Sequence, residues 1–396
     1  MPSTLTQSPT MTAEQPPSRQ GREAPAPPEE TESPLARLTA AQLEALGREL
    51  DALHEQVRAD LGERDASYIR NVIKLHRRLV IAARVILLGS RRRPLWLSGT
   101  AALSLAKILE NMEIGHNVLH GQWDWMNDPD INSQSWDWDT ASPADAWRHS
   151  HNYEHHTFTN IRGKDRDLGY EIMRIDPHQR WHPVYLLQPL YNLVLMAFFE
   201  WGVAVHDLNA EAVRTGEKPR RQVVEELRAI GVKARRQIVK DYVAFPALSG
   251  PGGYRATLAA NFTANVIRNV WAHSTIFCGH FPDQTYTFSE PEVEGETRGG
   301  WYVRQLLGAA NIDGGPLFHL LTGNLSFQVE HHLFPDMPSS RYAEIAPRVR
   351  EICHRNGLPY NSGPLRKQLG TVHRTILRLA FPGGRPRPKP AAGAAG

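Results

Sequence analysis

Three groups of histidines, far apart in the chain, constrain its fold more than any other feature. They are His116-Asn-Val-Leu-His120, His151-Asn-Tyr-Glu-His155-His156 and Gln328-Val-Glu-His331-His332. Histidines three or four residues apart lie on one face of a helix, so each group can contact a metal ion from one side. Neutral imidazole suits iron, copper, zinc or nickel better than calcium or magnesium. The fold must therefore bring these distant segments together around metal.

The number of histidines fits two ions better than one, because a single zinc ion usually takes about three or four protein ligands. One histidine pair on a helix is more often solvated than bound to metal, but three such groups in one chain make that interpretation weak. No His-Glu-x-x-His motif occurs, which argues against a zinc protease.

These boxes resemble those of the membrane fatty acid desaturases, including the Gln-x-x-His-His form of the third box. Residues 111–130, 141–170 and 323–341 resemble actinobacterial acyl-CoA desaturases that take electrons from NADPH, and the likeness covers roughly residues 65–380. It implies an all-α integral membrane bundle of about four transmembrane helices in two hairpins. A cytoplasmic helical cap would hold a His-rich diiron site.

The resemblance implies an O2-dependent desaturase that introduces a cis double bond into a long-chain acyl-CoA, with the ninth carbon of stearoyl-CoA as the expected position. Two alternatives stay open. One is a diiron membrane hydroxylase or ketolase of fatty acids or alkanes, and the other is a non-catalytic membrane metal-binding protein. The sequence does not fix the double-bond position, the chain length, the carrier or the oligomeric state.

The resemblance also implies the metal ligands. The expected ligands of the two iron ions in the boxes are His116, His120, His151, His155, His156, His331 and His332. Asn269-x-x-x-His273 resembles a family element in which the histidine binds iron and the asparagine acts through water. Gln328 stands where some desaturases have a histidine ligand, so we expect it to bind weakly or indirectly. His280, on the same helix face as His273, is a candidate to compensate.

Acidic residues near the boxes are candidates to orient the imidazole rings, as carboxylates commonly do at metal sites. They are Glu113, Glu154 and Glu330, each equally consistent with a solvated helix position, and Asp165 and Asp167, for which binding of a basic partner is the alternative. His149 lies within the second box but on another face of the predicted helix, and we do not expect it to be a ligand.

Two helix starts can be read from the sequence. Thr39 and Gln42 form a capping-box pattern ahead of apolar residues at helical spacing, which predicts an amphipathic helix within residues 38–66. Ser142 as the N-cap, followed by Pro143, predicts that residues 147–156 of the second box are helical.

Composition divides the chain into four parts: a disordered Pro-rich tail at 1–37, the amphipathic helix at 38–66, the desaturase domain at 67–380 and a second tail at 381–396. The tails have too few apolar residues to form a core.

Two cysteines and no secretory signal suggest a reducing compartment. The net charge of +3 is too small to argue for nucleic acid.

Hydropathy alone indicates a membrane only weakly, because no stretch reaches about 20 uncharged residues. We predict hairpins from 79–90 with 94–113 and from 238–248 with 256–273, and an interfacial or re-entrant segment at 183–205. Basic residues in 208–240 place that segment in the cytoplasm. The expected location is the cell membrane, multi-pass, with the active site facing the cytoplasm. Three arginines at 91–93, on the outer side, do not fit this rule.

The electron source and the acyl carrier are the expected partners. The chain has no haem-binding His-Pro-Gly-Gly, no Gly-x-Gly-x-x-Gly and no four-cysteine pattern. The resemblance therefore implies that a separate flavin reductase or ferredoxin takes electrons from NADPH, which this chain does not bind. Basic residues in 208–240 or Arg341 are candidates to contact coenzyme A phosphates. Tryptophans between the first two boxes are candidates to line an acyl channel.

Overall fold

The computed structural model describes residues 34–385, and within this range the protein is almost entirely helical. In the first half the α-helices are α1 (Ala40–Ala59), α2 (Glu63–Leu87), α3 (Arg93–Leu109), α4 (Asn117–Leu119), α5 (Ala144–Trp147), α6 (His156–Phe158), α7 (Gln188–Ala197), α8 (Phe199–His206) and α9 (Ala210–Thr215). In the second half they are α10 (Arg220–Ile238), α11 (Phe245–Leu248), α12 (Gly250–His280), α13 (Arg298–Gly308), α14 (Pro316–Leu321), α15 (Gln328–Leu333), α16 (Tyr342–Arg355) and α17 (Leu365–Leu379).

Shorter helical segments and one strand pair complete the described part. Single 3₁₀ turns occupy Pro34–Arg37, Asp124–Met126, Leu168–Glu171, Pro183–Leu187, Pro291–Val293, Leu325–Phe327 and Ser339–Arg341. π-Helical segments occupy Glu110–His116, Arg148–His155 and Val239–Ala244. Strands β1 (Asn311–Asp313) and β2 (Ser362–Pro364) pair in parallel, with Asn311 opposite Ser362. The all-α prediction is confirmed, except that it missed this short strand pair. The predicted tails lie outside the described residues, apart from 34–37 and 381–385.

Two long helical hairpins form one part of the molecule. Helix α2 turns over residues 88–92 into α3, and α10 continues through Val239–Ala244 and α11 before turning at Ser249 into α12. Both predicted hairpins are present, but their helices extend beyond the predicted bounds. Charged residues inside the predicted bounds pair with one another across the two hairpins. Arg84 and Lys107 lie 2.7 and 2.8 Å from the two carboxylate oxygens of the buried Asp241.

The tips of the two hairpins contact each other through an arginine. A Cβ atom added to Gly252 would lie 2.9 Å from an Nη1 atom of Arg91. The guanidinium therefore lies against the backbone of the second hairpin.

Among residues 34–385, no single helix meets the length and hydropathy expected of a membrane span. The segments Pro183–Ala197 and Phe199–Thr215 meet that measure only as a pair, and they are bent against each other by 102°.

Helix α1 begins as predicted and belongs to a cap on the hairpins. The Thr39 side chain accepts a hydrogen bond from the Gln42 backbone N–H, and the Gln42 side chain accepts one from the Thr39 N–H. The apolar face of α1 packs into a core shared with α13, α15 and α16. A Cβ at Gly299 of α13 would lie 1.9 Å from the Leu43 carbonyl oxygen, so the two helices cross in backbone contact. The predicted boundary at residue 66 falls inside α2.

The second box is helical as predicted, but its start and its type differ. Pro143 precedes the first helical residue, and the Ser142 hydroxyl donates to the Asp207 carboxylate instead of capping the helix. Residues Arg148–His155 are π-helical, with wider turns than an α-helix. Periodicity alone could not predict this widening.

Candidate metal centre

Two of the three boxes follow or lie within π-helical segments. Glu110–His116 ends at the first box, and Arg148–His155 contains most of the second. Such segments are rare and occur frequently at functional sites. The third box lies on α15, a six-residue helix whose side chains are all buried. The histidines of all three boxes therefore lie on or next to short helical segments, of which two are π-helical.

The imidazoles form two adjacent groups. In the four-histidine group, ring nitrogens of His116, His120, His151 and His331 all lie within 4.8 Å of one another. In the three-histidine group, the same holds for His155, His280 and His332. His156 lies between them, with its ring centroid 4.8 Å from that of His120 and 4.5 Å from that of His332. Two neighbouring nitrogen-rich groups match a two-ion site in donor type and number.

Within residues 34–385, several buried ring nitrogens in these groups have no hydrogen-bond partner. They are Nε2 of His120, His151, His155 and His331, Nδ1 of His280, and both ring nitrogens of His156. Leaving a buried polar atom unpaired is costly, so such atoms call for an explanation. Metal ions between the rings would use these nitrogens, and the residues present therefore fit a metal pair.

Two aspartates hold rings of the second box. The Nδ1 atom of His151 lies 3.2 Å from Asp167 Oδ2, and that of His155 lies 3.0 Å from Asp165 Oδ1. A carboxylate on one ring nitrogen fixes the ring so that the other nitrogen faces a metal. The expectation that these aspartates orient the rings agrees with this geometry. Asp167 also lies 2.9 Å from Nε2 of His206, a buried residue that the sequence did not single out.

The rings of the third box have neutral partners. The Nδ1 atom of His331 lies 3.2 Å from the Tyr342 hydroxyl, and that of His332 lies 3.0 Å from Gln305 Oε1. Neither partner was found from the sequence, since both are distant in the chain and neither residue type signals a metal site.

The three glutamates proposed to orient rings have other roles. Glu113 accepts hydrogen bonds from Tyr68, Ser339 and Asn324. Glu330 accepts from Asn311 and Tyr360, and Glu154 pairs with Arg166 and lies near the exposed ring of His149. The prediction was wrong for these glutamates because adjacency in sequence does not determine the direction of a side chain.

The environment keeps most of the rings in the form that binds metal. Burial lowers the pKa of His120, His156, His331 and His332 well below the usual value, so these rings are neutral near pH 7. Burial alone would raise the pKa of Asp167. Its imidazole neighbours, with His155 foremost, instead hold that pKa well below its usual range. Asp167 is therefore a carboxylate that accepts hydrogen bonds from the rings of His151 and His206.

The structure separates His273 from both groups. Its Nε2 atom lies 3.1 Å from Asn192 Oδ1, and its ring stacks on Phe277 with centroids 3.7 Å apart. His280 lies two helical turns further along α12, or about 10 Å, and this shift brings it into the three-histidine group. Helical periodicity predicted correctly that His273 and His280 share one face of α12. It did not predict which of the two lies level with the metal groups. The Asn269 side chain contacts the backbone of Ala197 and Glu200 and also lines the cavity described next.

A cavity in the interior reaches the histidine groups. Three histidines of the two groups line it, namely His116, His151 and His280, and Gln328 lies beside them. Its apolar walls include Met112, Trp138, Trp147, Phe199, Ile276 and Leu325. Two of the tryptophans expected to line an acyl channel are therefore in its wall.

Arg341 is not available to a phosphate group. It is 2 % exposed, and its guanidinium contacts both carboxylate oxygens of Asp65, at 2.6 and 2.8 Å, and a carboxylate oxygen of Asp60. The suggested contact between Arg341 and coenzyme A is therefore wrong. In residues 208–240, Lys218, Lys233 and Lys240 are also paired with carboxylates. Arg236 pairs with Asp137 although it is 79 % exposed, and Arg235 is exposed.

The chain belongs to the fatty acid desaturase family. The family model with that description matches residues 94–364. It is similar to the NADPH-dependent stearoyl-CoA 9-desaturase of Mycobacterium tuberculosis, with 49% identity over 351 residues that cover 88% of this chain and 82% of that protein. It is also similar to the sn-1 linoleoyl-lipid 6-desaturase of Synechocystis, with 27% identity over 282 residues that cover 68% of this chain and 76% of that one. The chain is therefore an oxidoreductase that desaturates fatty acyl chains.

Proposed function

We propose that this desaturase acts at a diiron centre on long-chain acyl-CoA, with stearoyl-CoA as the substrate and the ninth carbon as the site of the new cis bond. The observation that carries the proposal is a cavity, lined by apolar and polar side chains, that reaches two adjacent histidine groups. The name and the coverage of the Mycobacterium tuberculosis relative support the choice of substrate and position.

The proposed ligands follow the two groups. His116, His120, His151 and His331 would hold one ion, and His155, His280 and His332 the other, with His156 between them. His273 and Asn269, named from the family resemblance, are left out of the ligand set because of their contacts.

Bound iron would supply the reduction of O2 and the removal of hydrogen from an unactivated methylene, which no side chain achieves alone. The chain itself orients the reactants. Asp165 and Asp167 fix the rings of His155 and His151, so the metal-facing nitrogens hold their positions. The walls around Trp138, Trp147 and Leu325 exclude water and hold an acyl chain against His151 and His280. Which methylene reacts would depend on how far the chain extends into this cavity.

We further propose that the enzyme is a multi-pass protein of the cell membrane, with its metal centre on the cytoplasmic side. Large apolar side chains are exposed on α7, α8, α11 and α12, including Leu190, Val194, Val205, Leu248 and Phe262. Such a surface suits a lipid environment. The bend of 102° between the segments on either side of Phe198 supports the re-entrant arrangement of residues 183–205.

The proposed electron donor is a separate flavin reductase or ferredoxin that draws on NADPH. The name of the Mycobacterium tuberculosis relative supports the use of NADPH. The chain supplies the histidine groups but no sequence motif for a haem, a dinucleotide or an iron-sulfur cluster.

The decisive assay uses purified protein loaded with iron, stearoyl-CoA, NADPH and a competent reductase. We expect an 18-carbon product with one double bond at the ninth carbon, located by mass spectrometry. A hydroxylated product would contradict desaturation, and a double bond elsewhere would contradict the proposed position.

A further inference from the structure

Positive charge is concentrated in the last part of the chain. After Glu351 the sequence contains eight Lys or Arg residues and no Asp or Glu, although the net charge of the whole chain is only +3. Helix α17 belongs to this segment, and its exposed residues include Arg366, Lys367 and Arg378. Such an asymmetry of charge within one chain indicates contact with an anionic surface or ligand.

The loop before α7 is held against the last turn of α17. The indole N–H of Trp181 donates a hydrogen bond of 2.9 Å to the carbonyl oxygen of Ala380. The side-chain amide of Gln188 donates one of 2.6 Å to the carbonyl oxygen of Ile376. These two bonds place Arg180, which directly precedes Trp181, beside the end of α17.

The chain also turns back on itself after α17. Gly383 has a φ of +73°, which glycine adopts without the strain that a side chain would cause. A Cβ added to Gly384 would overlap the carbonyl oxygen of Arg378, so the turn lies in backbone contact with the helix. Arg385 follows this contact directly. The fold therefore brings Arg180, Arg378 and Arg385 together around one helix end.

These three arginines are exposed and have no acidic partner within residues 34–385. Asp283, which lies against α17, is already paired with Arg374 at 3.4 Å. Like charges that are gathered without a counter-charge repel one another. An anion bound among the three guanidinium groups would remove this repulsion.

Exposed apolar side chains border the arginines. Leu377 and Phe381, at the end of α17, are each 53 % exposed, and Leu187 and Leu190, in the segment held against it, are 56 % and 64 % exposed. Trp181 lies half-buried between the two segments. Arginine, tryptophan and exposed leucine side by side are typical of the boundary between lipid headgroups and acyl chains. A soluble phosphate compound would use the arginines but not the apolar side chains.

We propose that this surface, formed by Arg180, Arg378 and Arg385 with the apolar side chains around them, binds the headgroups of anionic phospholipids. The guanidinium groups contact the lipid phosphates, for which their planar pair of donors is suited, and the apolar side chains enter the region of the acyl chains. The inference rests on the proposed membrane location and adds to it the class of lipid that the enzyme selects.

The position of this surface fits the proposed orientation of the enzyme. Val372 and Ile376 of α17 share a core with Phe277 and Cys278 of α12, which lie within one helical turn of His280. A headgroup bound at the end of α17 is therefore in the leaflet nearer to the metal groups. In the proposed topology this is the cytoplasmic leaflet, whose surface is negative because of its anionic lipids.

The test measures lipid binding to the full-length protein in a neutral detergent by native mass spectrometry. Phosphatidylglycerol is the anionic probe, and phosphatidylcholine with the same acyl chains is the neutral one. The wild-type protein should bind phosphatidylglycerol more tightly. An arginine near an anionic surface contributes a factor of about five in affinity. The double variant Arg180→Gln/Arg378→Gln should therefore bind phosphatidylglycerol about 30-fold more weakly and phosphatidylcholine as before, and Arg385→Gln alone should lose about fivefold.

A matched double variant provides the control. Arg58→Gln/Arg348→Gln removes the same charge from exposed positions on α1 and α16, which belong to the cap. It should bind both lipids like the wild type. A loss of phosphatidylglycerol binding as large as in the Arg180 and Arg378 variant would show that only the net charge matters, and would overturn the assignment to this surface.

The remaining outcomes separate this inference from the proposed membrane location. Equal affinity of the wild type for the two lipids, or unchanged binding in Arg180→Gln/Arg378→Gln, would overturn the inference. The membrane location would still stand if the protein enters nanodiscs of phosphatidylcholine alone, whereas failure to enter any bilayer would overturn both. Displacement of phosphatidylglycerol by inorganic phosphate or by coenzyme A at a similar concentration would assign the arginines to a soluble ligand and contradict the choice of lipid.

Discussion

Replacing Asp165 with asparagine tests whether a second-box carboxylate holds a ligand ring in place. Asp165 Oδ1 lies 3.0 Å from His155 Nδ1, and the carboxylate also accepts hydrogen bonds from the backbone N–H of Asn160, at 2.7 Å, and of Asp167, at 2.9 Å. Asparagine keeps the shape and one oxygen acceptor but removes the charge. The bond to His155 then changes from a charge-assisted to a neutral one.

The magnitude follows from that change. A hydrogen bond to a charged group contributes about 1.5 to 3 kcal/mol and a neutral one about 1, so the loss is about 0.5 to 2 kcal/mol. This loss corresponds to about 2- to 30-fold weaker binding of the ion held by His155. The four-histidine group makes no contact with Asp165, so its affinity should not change.

Co(II) titration of metal-free protein measures this effect, with iron content per chain as a second readout. Asp130→Asn, at an exposed position, is the matched control and should behave as wild type. The reasoning is refuted if Asp165→Asn binds both ions with the wild-type affinities.

Three further predictions concern the stability of the fold. Gly299→Ala places a Cβ 1.9 Å from the Leu43 carbonyl oxygen, so we expect a loss of about 1 to 3 kcal/mol in thermal unfolding; unchanged unfolding would contradict the α1–α13 crossing. Asp241→Asn leaves Arg84 and Lys107 without their shared carboxylate, and a loss of about 3 to 5 kcal/mol is expected in a detergent-unfolding assay, whereas Asp130→Asn should show none. Burial lowers the pKa of His116 to about 3 from its usual 6.5, so unfolding takes up protons between these values. The metal-free protein should therefore become less stable as the pH falls from about 6.5 toward 3, because the unfolded state takes up a proton that the buried ring does not. A free energy of unfolding that stays constant over this range would count against burial of the neutral ring.

The sequence predicted those features that depend on local pattern. The capping box at Thr39 predicted the start of α1, and the box spacing predicted that distant histidines would converge. Both features depend on residues within one or two helical turns, where spacing determines which side chains share a face.

Other features depend on tertiary contacts that no local pattern specifies. His273 and His280 share a helix face, and only the packing of α12 against its neighbours decides which of them reaches the metal groups. Tyr342 and Gln305 hold ring nitrogens across long stretches of chain. The π-helical turn at the second box widens the spacing that α-helical periodicity assumes. These are the positions where sequence reasoning was incomplete or wrong.

Iron content measured together with turnover tests the central claim most directly. The account predicts two iron ions per chain in the wild-type enzyme. It predicts about one ion and no desaturated product in His331→Ala and in His332→Ala, since each variant removes a donor from a different group. His273→Ala should keep both ions. Two ions retained in His332→Ala, or an ion lost in His273→Ala, would contradict the assignment of the metal centre to these two histidine groups.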